Sequence, residues 1–187
     1  DTEGRVIFIS SFSKILSPAL RTGWLVADPQ LMTELIGLKS AIDVQSPNIT
    51  LAAINSYLDH HDIDAHIATI NQAYRIKRDT MLAALDKYFP KNITYTRPNG
   101  GFFIWVTLPQ GTDAKTLLTD VVLPQAHVAY VPSACQFASR QVKNAFRLNF
   151  TSLDPETITR GIQQLGELLQ PSPVQQTTTA AWVPHFN

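Results

Sequence analysis

The chain has one cysteine, Cys135, so it cannot cross-link itself, and its stability must come from a packed core. It has no excess of either charge, because fifteen Lys and Arg balance fifteen Asp and Glu. A neutral chain has no long-range field to draw it to nucleic acid or to an anionic membrane, so small molecules are the expected ligands. No apolar run approaches the ~20 residues of a membrane span. The opening Asp-Thr-Glu-Gly-Arg lacks the basic-then-apolar order of a signal peptide. With a lone thiol, these absences predict a cytoplasmic protein. Metal spacing is missing too: among His60, His61, His66, His127 and His185, the pair His61 and His66 are five apart and miss one helix face, so no metal is expected. His60 and His61, at an expected helix end, favour the local dipole instead. What is present is 187 residues, 44% of them hydrophobic, enough for one packed domain and part of another.

The run Arg5 to Ser10 (RVIFIS) reads as a buried strand that needs neighbours, and few candidates follow it. Gly23 to Ala27 reads as a second strand. Asp28-Pro29 then supplies a capping side chain and a first-turn proline for a helix to about Ala41. Ser46-Pro47-Asn48 breaks the pattern and starts another helix, to about His60. Between Asp62 and Phe89, Ile63, Ile67, Ile70, Tyr74, Met81, Leu85 and Tyr88 form an apolar stripe, with Arg75, Lys77, Arg78 and Asp79 on an expected solvated face. Strands at Ile93 to Thr96 and Phe102 to Leu108 flank the turn Pro98-Asn99-Gly100-Gly101. Phe102, Ile104 and Val106 share one strand face and Phe103 and Trp105 the other, and both sets are expected in the core. A short helix over Asp113 to Leu123 and strands at Val128 to Val131 and Ala145 to Phe150 follow. Asp154-Pro155 opens a last helix with Ile158, Ile162, Leu165 and Leu169 as its stripe. From Pro171 the Pro-, Gln- and Thr-rich composition suits an extended tail.

The chemistry concentrates between Ser10 and Trp24 (SSFSKILSPALRTGW). Ser11 and Ser13 offer hydroxyls, and Arg21, seven residues beyond Lys14, offers a rigid charged fork suited to a phosphate. A carbonyl cofactor bearing a phosphate needs this combination of one amine and a separate anion site. Ser11-Phe12-Ser13-Lys14 followed by Pro18-Ala19-Leu20-Arg21-Thr22-Gly23-Trp24 resembles the Schiff-base motif of fold-type I enzymes that use pyridoxal 5′-phosphate (PLP). The resemblance is closest to class I/II aminotransferases, in the branch with aminoadipate and kynurenine aminotransferases. It implies that Lys14 forms the Schiff base and moves a proton at the substrate's Cα, and that Ser11, Ser13 and Arg21 hold the cofactor phosphate. Asn144-Ala145-Phe146-Arg147-Leu148-Asn149-Phe150 is similar to the family's arginine strand, which implies that Arg147 grips the substrate's α-carboxylate. Val131-Pro132-Ser133-Ala134-Cys135-Gln136-Phe137 departs from the family pattern, because a glycine normally follows this proline. Ser133 can replace it only where φ is not positive. Cys135 is expected to be a small packed residue.

The resemblance covers about Val6 to Gln170 and corresponds to the last part of the family's fold, so a C-terminal fragment, itself inactive, is expected. It implies an α/β protein. Residues 1–50 would be a remnant of the large PLP-binding domain, 51–170 the small C-terminal domain with an antiparallel sheet and packed helices, and 171–187 a tail. The implied substrates are an amino acid and a 2-oxo acid, and the implied assembly is a homodimer. Two alternatives stay open. One is an aminotransferase-like effector domain of a transcription regulator with a DNA-binding domain upstream. The other is a C–S lyase or decarboxylating synthase on the same fold.

Overall fold

The structure is a computed structural model that describes residues 2–170; the tail expected from Pro171 lies outside the described residues. The chain divides into two compact units, Asp1–Ile70 and the part from Asn71 onward. That division falls later than the sequence break at Ser46-Pro47-Asn48 and lies within a helix.

In the first unit, strands β1 (Phe8–Ser11) and β2 (Gly23–Val26) pair antiparallel, Phe8 opposite Val26 and Ser11 opposite Gly23. Helix α1 (Pro29–Asp43) starts where the sequence predicts, with the Asp28 carboxylate accepting from the Gln30 backbone N–H at 2.9 Å. Helix α2 (Asn48–His60) follows Pro47, and α3 (Ile63–Tyr88) opens on Asp62, whose carboxylate accepts from Asp64 and Ala65 N–H. The neighbours that a strand buried on both faces needs are not found among the described residues. The apolar residues of β1 form half of a two-stranded ribbon that leaves Phe8 54% and Ile9 71% exposed.

The second unit is built on a four-stranded antiparallel sheet in the order β3 (Thr94–Tyr95), β4 (Phe103–Thr107), β6 (Ala145–Asn149), β5 (Val131–Pro132). Gly101, at φ +78°, makes the turn into β4. One sheet face, with Ile104, Val106, Phe146 and Leu148, packs in a single core with Met81 and Leu85 of α3 and Ile158, Ile162 and Leu165 of α6 (Pro155–Leu169). The α6 stripe buries as its spacing predicts apart from half-buried Leu169, whereas the α3 stripe is buried only at Met81 and Leu85 and half-buried elsewhere. Gly166 sits where an added Cβ would lie 2.6 Å from the Tyr88 carbonyl oxygen, so α6 can cross the end of α3 only at a glycine. The helix expected over Asp113 to Leu123 runs from Ala114 to Ala126 as α4 (Ala114–Leu117), a π-helical stretch (Leu118–Val122) and α5 (Leu123–Ala126). Pro124 lacks the N–H and crowds the carbonyl four residues back, and the wider π turn accommodates it.

Three expectations are corrected. The second face of β4 is not core: Phe103 is 39% exposed and Trp105 half-buried, because the core helices pack on the other side of the sheet. Lys77 and Arg78 are not simply solvated. The Lys77 ammonium donates to the Thr151 carbonyl at 2.8 Å, and Arg78 pairs with Asp79 and donates to the Pro98 carbonyl. Cys135 is exposed, on the rim of the sheet, whereas Ser133 beside it is the buried residue. The Ser133 hydroxyl donates to the Val142 carbonyl at 2.5 Å, and its φ is not positive, so the condition for serine to stand in place of the expected glycine is met.

Candidate functional site

The β1–β2 ribbon is a hairpin whose long loop, Phe12 to Thr22, carries Ser13, Lys14 and Arg21, with Ser11 at its base opposite Gly23. The loop is closed by its own backbone: Phe12 N–H donates to Thr22 O at 3.1 Å, and Leu16 and Ser17 N–H both donate to Phe12 O. The rings of Phe12 and Trp24 meet at 4.8 Å across the base. Gly23 is required there, since a Cβ would stand 2.6 Å from the Ser10 carbonyl oxygen. Ser17 caps a short 3-10 turn at Pro18–Leu20, accepting from Ala19 N–H. That turn ends on Arg21 in the left-handed region, φ 47°, a conformation a non-glycine residue seldom holds. The Arg21 guanidinium donates to the Pro18 carbonyl at 3.2 Å and stays exposed, as Lys14 does. One loop thus brings two hydroxyls, a guanidinium and an accessible primary amine onto one hairpin end.

Arg147 lies on β6, a central strand, with Trp105 as its partner on β4 and Val131 as its partner on β5. The three residues form a row across the sheet face that the core helices leave open. The Arg147 guanidinium carbon lies 4.3 Å from the centroid of the Phe103 ring, and its Nε is buried with no hydrogen-bond partner. Phe137 meets Trp105 edge-on at 6.0 Å and carries the Arg140 guanidinium over its own ring at 5.2 Å. The face therefore offers two cations on an aromatic floor. Sequence reasoning found Arg147 but assigned Phe103 and Trp105 to the core. Strand parity had put Phe103 and Trp105 on one face, but it does not tell which face the helices cover.

The sharpest electrostatic perturbations lie away from both places. Asp86 accepts hydrogen bonds from the Tyr95 hydroxyl and the Arg97 guanidinium, which hold its carboxyl below the ordinary range. Burial, with that bond to Asp86, pushes the Tyr95 hydroxyl up to about 12. Burial also raises Tyr130, whose hydroxyl donates to the Ala114 carbonyl at 2.9 Å. His61 and His66 do meet around one ring, stacked on and edge-on to Tyr57, because a helix break separates them. Among the described residues, no helix is long and apolar enough to cross a membrane.

The family model described as aminotransferase class I and II matches residues 1–165. Aromatic-amino-acid aminotransferase 1 of Thermococcus litoralis is 41% identical over 170 residues, which is 91% of this chain and 40% of that protein. The solved structure of the Pyrococcus horikoshii kynurenine aminotransferase superposes with a TM-score of 0.85 at 41% identity, covering 90% of this chain and 41% of that one. That of the α-aminoadipate aminotransferase from Thermus thermophilus, complexed with N-(5′-phosphopyridoxyl)-L-leucine, has a TM-score of 0.82 at 36% identity, covering 88% and 41%. A helix-turn-helix-type transcriptional regulator of Escherichia coli is 33% identical over 168 residues, which is 89% of this chain and 35% of the regulator. The chain thus spans about two fifths of the length of the enzymes it matches.

Proposed function

The chain belongs to the class I and II aminotransferase family, and on that premise we propose that the protein transfers an amino group from an amino acid to a 2-oxo acid with PLP as cofactor. The observation that carries the reading is that Ser11, Ser13, Lys14 and Arg21 all lie on one hairpin end, Ser11 at the end of β1 and the other three in the loop. Its donor set fits a phosphate-bearing aldehyde: Ser11, Ser13 and Arg21 hold the phosphate, and the exposed Lys14 amine is free to condense with the carbonyl. The left-handed backbone at Arg21 is the strain expected where geometry serves binding. Support also comes from the aminoadipate enzyme, which was solved with a phosphopyridoxyl adduct.

When bound, PLP supplies an electrophilic carbon and an electron-withdrawing ring. The Lys14 amine would hold the group covalently and would carry a proton away from the substrate's Cα. Arg147 holds the α-carboxylate through paired hydrogen bonds and so orients that Cα. We assign residues 1–50 to the large cofactor-binding domain and 51–170 to the small domain, and read the assembly as a cytoplasmic homodimer. The apolar face of the β1–β2 ribbon supports a covering partner surface, and the exposed Cys135 thiol suits a reducing compartment.

Borohydride reduction of the full-length protein loaded with PLP, followed by peptide mapping, should leave the pyridoxyl label on Lys14. A label on Lys39 or Lys143 would overturn the assignment. A second reading, the effector domain of a regulator, is favoured by the similarity to the Escherichia coli regulator. Both readings retain the Lys14 label. Glutamate formation from an amino acid and 2-oxoglutarate separates them, since an effector domain that only senses ligand gives none.

A further inference from the structure

We propose that Phe103 is the positioning residue for Arg147: its ring is the shelf that fixes the guanidinium in the orientation that receives a substrate carboxylate. The inference rests on the reading of Arg147 as the carboxylate anchor. The starting point is the fence around the arginine. Its register partners Trp105 and Val131 stand on either side of it in one row, so the stem rises between them and cannot swing sideways along that row. The only long flexible part left is the guanidinium. An arginine with three free side-chain torsions samples many positions, and each one it must give up to meet a carboxylate weakens binding.

The ring of Phe103 removes that freedom. Phe103 pairs with Asn149, two residues beyond Arg147 on β6, which puts it on the same face and diagonal to the arginine. The guanidinium carbon stands 4.3 Å from its centroid, within the range where a cation is attracted to a ring face. Nε is buried and makes no hydrogen bond, so no carboxylate or carbonyl orients the group from the stem side. Orientation must come from the shelf. An aromatic face does this without spending a hydrogen-bond donor, and the terminal amino groups stay available for a two-pronged grip on a carboxylate. It also accounts for a large phenylalanine left 39% exposed on a face the core helices do not cover.

The test uses the full-length, cofactor-loaded protein and the variants Phe103→Leu and Phe103→Tyr, with Arg147→Ala as reference. The probe is propionate, a carboxylate without an amine, and its dissociation constant is read from the change in cofactor absorbance. The KM and limiting rate for L-alanine, whose methyl side chain is small, are measured beside it. The expected result is a propionate constant and an L-alanine KM raised together by roughly three- to thirtyfold in Phe103→Leu, the range such a contact is worth. The limiting rate should change less than about twofold, and Phe103→Tyr, which keeps the ring face, should restore both constants. Unchanged constants in Phe103→Leu, with a large loss in Arg147→Ala, would overturn the shelf and leave the anchor standing. A fall in limiting rate matching the rise in KM, or no rescue by tyrosine, would mark Phe103 as structural packing. Unchanged propionate binding in Arg147→Ala would remove the anchor and the shelf together.

Discussion

At the scale of single residues, the site divides into groups whose chemistry announces them and groups known only by what they face. Lys14, Ser11, Ser13 and Arg21 were singled out by a motif resemblance, and all four lie on one hairpin end. Arg147→Ala in the full-length protein should lower kcat/KM for amino acids by ten- to several-hundredfold, since a paired, charged contact is worth a few kcal/mol. The absorbance of bound cofactor should persist, and unchanged turnover would make the arginine structural. Phe103 was not legible, because strand parity says which residues share a face and not which face the helices cover. Gly166 was hidden for a related reason: a helical glycine is usually a weakness, and its use appears only once Tyr88 is seen against it. Gly166→Ala should destabilise the second unit by about 1–3 kcal/mol despite the better helix propensity of alanine, because the added methyl meets backbone at 2.6 Å. Thermal unfolding followed by circular dichroism measures this, and a stabilised variant would show that α6 can shift.

At the scale of elements, the helix starts were the most readable features, since a cap is a local device. Asp28-Pro29 and Asp154-Pro155 both start helices where the sequence places them. Strand ends were less readable: the strand expected at Val128 to Val131 lies at Val131–Pro132, because pairing is decided by the neighbour and not by the apolar run. The cap of α6 carries a pH dependence of known sign. The Asp154 carboxylate accepts from the Thr157 backbone N–H at 2.9 Å and from its hydroxyl at 2.8 Å, and these bonds hold its carboxyl below the ordinary value. A group depressed in the folded state stabilises above its unfolded value and loses that contribution as pH falls through the lower folded value. Asp154→Asn keeps a capping oxygen and does not titrate. Wild type should therefore exceed the variant in stability at neutral pH, with the gap closing below about pH 4. Exposure of the cap keeps the gap small. Melting curves of the two proteins from pH 7 to pH 2 that ran parallel throughout would show that the carboxylate's charge adds nothing. The buried Tyr130 hydroxyl is a second device in the same unit: Tyr130→Phe removes its bond to the Ala114 carbonyl, which still accepts from the Leu118 N–H, so thermal unfolding should show a loss of only about 0.5–1.5 kcal/mol.

At the scale of the whole molecule, the two units differ in how much of their apolar surface they cover themselves. From α3 onward the sheet and its helices bury Phe146, Phe150, Leu85, Ile104 and Leu165 almost completely. In the first unit Ile54 is the one buried hydrophobic residue among those described, while Phe8, Ile9, Val26, Ile36 and Ile42 stay exposed. An exposed two-stranded ribbon with an apolar face is marginal in water and invites association. A polypeptide of residues 62–170, beginning at the Asp62 cap, should unfold in one cooperative transition and remain monomeric. The 187-residue chain should bind an apolar dye such as anilinonaphthalene sulfonate and associate at micromolar concentration. Replacing Phe8 and Val26, which face each other across the ribbon, by lysine should suppress both effects without lowering the unfolding temperature of the second unit. The same chain, mixed with PLP, an amino acid and 2-oxoglutarate, should form no glutamate, because it spans only about two fifths of the length of the enzymes it matches. Dye binding confined to the 62–170 polypeptide would move the apolar surface to the wrong unit. Robust turnover with one cofactor per chain would show that these residues already complete the site.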